Sequence, residues 1–195
     1  MSSTSSFKRN LGQMVRRMSR IRPRLLSLAW YPLVFDLFGR AAVMERPTLL
    51  AFPDCIRVGP RAHIRRGVRL EAVPRPGQQP PRIEIGADVL IEQNVQIIAT
   101  TRVVLGDRVA IAGHCAIVDA THPFGDGDGN IGHRLTDDGR EVSIGAGTFV
   151  GFGAVILPGV HLGEGCVVGA NAVVTRSFGA RSVIAGAPAR LLQTY

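Results

Sequence analysis

Aromatic side chains make up only 6% of this chain, cysteines number three, no acid precedes Asp36, and no apolar run is long enough to cross a bilayer. Each scarcity excludes something. With 23 glycines and 12 prolines in 195 residues, few aromatics argue against a helical bundle and for many short strands joined by tight turns. Cys55, Cys115 and Cys166 are far apart and odd in number. They offer no CxxC spacing for zinc or redox work and read as buried, reduced thiols of a cytoplasmic protein. The stretch LLSLAWYPLVFDLFG is broken by Pro32 and Asp36, is too short for a membrane span, and lacks the small-residue cleavage site of a secretory signal. The lack of early acids gives residues 1–24 a charge of +7, from Lys8, Arg9, Arg16, Arg17, Arg20, Arg22 and Arg24, whereas 16 basic and 15 acidic side chains share the other 171 residues. A basic core built for nucleic acid has no support. The length suits one domain with an appendage.

The appendage reads as a helical arm over residues 1–50. Phe7, Leu11, Met14, Met18 and Ile21 recur at spacings of 4, 3, 4 and 3, which is one apolar helical face, and Pro23 ends it. Two readings stay open. The arm lies on an anionic membrane surface with Trp30 and Tyr31 at the interface, or it packs across the end of the main domain or against a partner subunit while its arginines face water.

From residue 58 the chain has a period of six. Aliphatic residues stand at Val58, Ile64 and Leu70, at Ile85, Ile91 and Ile97, at Leu105, Ile111 and Ile117, and again at Ile144, Val150, Ile156, Leu162, Val168 and Val174. Four places on from these stand small or β-branched residues, among them Ala62, Val68, Val89, Cys115, Ala154 and Cys166, and glycine often follows the aliphatic directly. A period of six matches neither a helix nor a simple alternating strand. It fits an all-β solenoid of triangular coils, three hexads to a coil, each aliphatic pointing inward onto its counterpart eighteen residues away, over a domain at residues 51–192. Two segments break the pattern. EAVPRPGQQPP at residues 71–81 cannot be a central strand because of its four prolines. The polar loop at 118–143, opened by Thr121-His122-Pro123, is thrown outward, where a solenoid carries function.

Asp126, Asp128 and Asn130 resemble the start of a calcium loop, but Ile131 stands where that motif needs glycine. The five histidines do not have the spacing of the zinc sites known on hexapeptide solenoids, so no metal is expected. No nucleotide-binding domain precedes the repeats, which argues against a sugar nucleotidyltransferase.

THP at 121–123, VSIGAGTFVGFGAVILPGVHLGEGCVVGANAVVT at 142–175 and VIAGAPAR at 183–190 resemble the hexapeptide-repeat O-acetyltransferases, in particular the galactoside and maltose branch and its polysaccharide-modifying relatives. The resemblance covers about residues 83–192. It implies a left-handed parallel β-helix, a homotrimer with acetyl-coenzyme A in a groove between subunits, and His122 as general base toward a saccharide hydroxyl, the acceptor being lipid-linked or free. An asparagine that supports the base in the family corresponds to Glu92, with Asp119 as a competing partner. A tryptophan bordering the pantetheine arm corresponds to Phe149. The matched coenzyme positions are Phe152, Ala170, Thr175, Arg176 and Arg190, the two arginines as phosphate contacts. A non-catalytic scaffold, or an acetyltransferase for a small xenobiotic, is the alternative, placed like the first in the cytoplasm or at the inner face of the membrane.

Overall fold

A computed structural model describes residues 21, 23–75, 77–122 and 140–195. These residues form three sheets of six, eight and six strands, the faces of a left-handed parallel β-helix. Each coil contributes one short strand per face, starting with Leu37–Phe38, Val43–Met44 and Leu49–Ala51 and ending with His161–Leu162, Val167–Val168 and Val173–Val174. Every aliphatic of the six-residue series is buried. Ile64, Ile91, Ile111, Val150 and Val168 stack in one column of the second face, and fully burying each such side chain stabilises by about 1.5–3 kcal/mol.

The glycines after these aliphatics follow from how closely the coils approach. A Cβ at Gly145 would lie 2.4 Å from the carbonyl carbon of Gly163, and one at Gly59 would lie 2.5 Å from that of Gly86. Only glycine fits after the first-face aliphatics.

Three expectations are corrected. First, the domain does not begin at residue 51. Phe38, Met44 and Leu50 keep the six-residue spacing and pair with Val58, Ile64 and Leu70, so residues 37–51 are the first coil. Second, eighteen residues separate stacked partners only between the last two coils, as in Ile144 and Leu162. The separation is 20 from Phe38 to Val58, 27 from Val58 to Ile85, 20 from Ile85 to Leu105, and 39 from Leu105 to Ile144. Third, the strand Arg69–Ala72 runs two residues into the proline-rich segment, with Glu71 on Ile98 and Ala72 on Ala99, because neither residue is a proline.

The inserted residues fall at one corner. From the first face to the second, and from the second to the third, the aliphatics are six apart in every coil. Only the corner from the third face to the first absorbs additions, so the loop after Val118 leaves from there.

A helix, α1 (residues 23–29), and a short one, α2 (Tyr31–Val34), close the N-terminal end. Pro23, Ser27, Tyr31 and Phe35 form a buried stripe at spacings of four. Ser27 Oγ donates to Pro23 O at 2.7 Å and accepts from Met44 N at 3.0 Å, satisfying a backbone donor on the first coil. Tyr31, Phe35 and Phe38 pack with ring centroids 5.2 to 5.6 Å apart. For these residues, packing across the end of the domain is what the structure shows. At the other end the antiparallel hairpin Ser182–Gly186 and Ala189–Thr194 completes the second face.

Candidate active site

His122 is exposed and stands four residues beyond the strand Ala116–Val118, where the chain leaves the third-to-first corner. The exit direction is set by Asp119. Its carboxylate is buried and accepts four hydrogen bonds: Oδ1 from Thr100 N at 2.7 Å and Thr100 Oγ1 at 3.0 Å, and Oδ2 from Thr101 N at 2.8 Å and Arg102 N at 2.7 Å. A carboxylate has about four lone-pair sites, and here a turn of the neighbouring coil fills them. Asp119 therefore clamps the loop mouth onto the neighbouring coil. The loop over residues 123–139, including the calcium-like Asp126 to Asn130 run, lies outside the described residues.

Glu92 follows the strand Leu90–Ile91 at the second-to-third corner, where its Oε1 lies 3.6 Å from Arg65 Nε. Above it, in successive coils, stand Ala112, Gly151, Gly169 and Ala185, each hydrogen-bonded through its coil to the next. This is a strip of small residues rising roughly 4.8 Å per coil. Phe149 and Phe152 flank it, 47% and 54% exposed, and Ala170 sits at the same corner. Arg190 pairs with Ala185 at the top of the strip.

Thr175 and Arg176 lie on the other side of the third face, after its last strand, Val173–Val174. Arg176 stacks its guanidinium 5.2 Å from the Phe178 ring centroid. The expected site residues thus divide between two corners. Glu92, Phe149, Phe152, Ala170 and Arg190 belong to the second-to-third corner, and His122, Thr175 and Arg176 to the third-to-first. Between Ala170 and Thr175 lie the turn at Ala170–Asn171 and the strand Val173–Val174, so the third face separates them.

Two further residues join the first group. Asn94 Nδ2 lies 3.2 Å from His114 Nε2, and the His114 ring stacks 5.1 Å from that of Phe152. A spacing of 20, the same as that from Ile85 to Leu105, would have brought Asn94 and His114 together on sequence alone. Beneath the strip, Cys115 is a structural thiol: burial pushes its pKa up, and Sγ donates to Gly151 O at 3.1 Å. Among the described residues no three His, Cys, Asp or Glu side chains converge to hold a metal. A cleft of about 300 Å³ lies at the N-terminal end of the second face, lined by Arg24, Ala41, Glu45, His63 and Arg65. None of the expected site residues lines it, because their two groups are open surfaces on separate corners.

The profile of a family described as Bacterial transferase hexapeptide (six repeats) matches residues 141–176. Galactoside O-acetyltransferase of Escherichia coli is 30% identical over 115 residues, 57% of this chain and 53% of that protein. Nodulation protein L of Rhizobium meliloti is 39% identical over 109 residues, 56% of this chain and 58% of that protein. The chain thus matches little more than half the length of either relative. A solved structure of a variant of AntD, an N-acyltransferase from Bacillus cereus in complex with dTDP and coenzyme A, has the same fold, with a TM-score of 0.70 at 18% identity over 88% of this chain and 87% of that one.

Proposed function

We propose that the chain is a hexapeptide-repeat transferase, similar over its repeats to the relatives above, and that it transfers an acetyl group from acetyl-coenzyme A to a saccharide hydroxyl. The observation that carries this reading is the strip Ala112, Gly151, Gly169 and Ala185, walled by Phe149 and Phe152 and topped by Arg190. Small residues admit a thin extended chain against the backbone, aromatic faces cover it, and a guanidinium suits its phosphate end. The names of the relatives point the same way, toward an acetyl donor and a sugar acceptor.

His122 takes the proton of the acceptor hydroxyl as its oxygen attacks the thioester carbonyl. The tetrahedral adduct collapses, the C–S bond breaks, and the imidazolium returns the proton to the departing thiolate. No thiol of this chain intervenes, since Cys55, Cys115 and Cys166 are all buried. In one chain the base and the strip lie a full face apart, so the site is completed when the third-to-first corner of one copy meets the second-to-third corner of another. A closed ring of three makes that contact three times. Glu92 then orients His122 from the neighbouring subunit. Free buried thiols suit a reducing, cytoplasmic setting.

Thiol release from acetyl-coenzyme A across a panel of hydroxyl and amino sugars tests the reading. Turnover is expected with a hydroxyl acceptor and should fall by at least about 10²-fold in His122→Ala, with the circular dichroism unchanged. Near-normal turnover in the purified variant would remove His122 as the base, and turnover with amino sugars alone would replace O-transfer by N-transfer.

A further inference from the structure

We propose that the N-terminal end of the solenoid is a docking surface for an anionic lipid bilayer. The stripe Pro23, Ser27, Tyr31 and Phe35 faces the first coil, which leaves the opposite side of the same helices bare. There stand Ile21, Leu25, Leu28, Trp30 and Leu33, with Leu28 74%, Trp30 56% and Leu33 76% exposed. Scattered exposed apolar residues are ordinary, but a cluster on one end of a molecule marks a contact.

Charge decides what covers it. Arg24, Arg40, Arg46 and Arg66 are exposed and have no acidic partner among the described residues. Arg24 and Leu28 line one cleft with Ala41, and Arg40 lines the next with the same alanine. Residues 1–75 hold 15 basic and 4 acidic side chains, whereas residues 76–195 hold 8 basic and 11 acidic. The basic excess therefore lies in the part of the sequence that contains the apolar cluster, and among the described residues Arg24, Arg40, Arg46 and Arg66 carry it at that end. A second copy set end to end on this surface would oppose like charges. A bilayer with anionic headgroups instead takes the leucines and Trp30 into its interface and attracts the arginines within a Debye length of about 10 Å.

The orientation has a consequence for the acceptor. His122 leaves the fourth coil, three coil spacings from the first, which is roughly 14 Å at 4.8 Å per coil. Docked end-on, the protein holds its base within reach of a saccharide whose lipid anchor lies in the same bilayer. Only this step depends on the acetyltransfer reading.

Trp30 is the one tryptophan of the chain, so tryptophan fluorescence, excited selectively, reports on this surface alone. The full-length protein is titrated with phosphatidylcholine vesicles with and without phosphatidylglycerol. The expected result is a blue shift with the anionic vesicles only, reversed by high salt, with partitioning weakened on the order of 100-fold in Leu28→Glu/Leu33→Glu. Both leucines are exposed, and Arg24→Glu/Arg40→Glu serves as a second variant should the first fail to fold. No shift with anionic vesicles, an equal shift with neutral ones, or unchanged binding in the variants overturns the proposal. So does a vesicle-free shift that grows with protein concentration alongside the sedimenting mass, which would give the surface to another copy. None of these readouts uses turnover, so failure of docking and failure of acetyltransfer remain distinguishable.

Discussion

The first three coils and the last two share one cross-section and differ in almost everything else. Residues 141–176 run in unbroken hexads with glycine after the aliphatic on the first two faces, and the family profile matches only there. Residues 37–99 carry a proline-rich connection and coil separations of 20 and 27. Yet Met44, Ile64 and Ile91 are as deeply buried as Val150 and Val168. The difference teaches which constraints the fold enforces. Six-residue spacing at two corners is enforced because each strand must place its aliphatic on the one below. The third corner is free, and the two halves have used that freedom differently, one for a connection and the other for a loop that presents His122.

The largest expected effect tests whether the two regions share one core. Ile64→Asp and Ile156→Asp should each abolish soluble protein, since both side chains are fully buried and an unpaired carboxylate there has a large desolvation cost. Glu164→Ala, at an exposed turn, should stay within about 0.5 kcal/mol of the parent. Soluble expression of Ile64→Asp beside failure of Ile156→Asp would show that the early coils are an attachment to the core and not part of it.

An intermediate effect separates corners that hold their turns differently. Asp119→Ala removes the acceptor of four hydrogen bonds from a buried turn and should cost about 2–4 kcal/mol, seen as a lowered melting temperature. Asp36→Ala, in the early coils, removes part-exposed pairs with Arg57 and Arg82 at 3.2 and 3.1 Å and should cost no more than about 1 kcal/mol. Similar losses in the two variants would mean that Asp119 clamps nothing.

The smallest effect depends on pH. The hydrogen bonds from Arg61 hold the Asp88 carboxyl below its usual value. A depressed folded-state value gives stability that is present above the unfolded pKa and lost as pH falls through the folded one. Asp88→Asn should therefore melt slightly below the parent at neutral pH, and the two should converge in acid. A gap that persists in acid would assign the effect to packing instead of charge.

Much of this was legible in the sequence. The six-residue spacing within each group of hexads from Val58 to Val174 names the inward side chains without any structure, because a coil that misplaces one leaves it unburied. Thr121-His122-Pro123 likewise marked the loop mouth. The first coil was within reach too, since Phe38, Met44 and Leu50 keep the spacing, but Pro47 and the surrounding arginines hid it inside a supposed arm. Asp119 could not be assigned: its partners, Thr100 to Arg102, lie 17 to 19 residues away in another coil, at a corner where the spacing is irregular. Tertiary structure alone decided that Glu92 and Phe152 stand at one corner and His122 and Arg176 at another, and that Ser27 seals the solenoid through Met44. Local periodicity sets which way a side chain points; which distant side chains become neighbours depends on how many residues each corner absorbs before the next strand pairs.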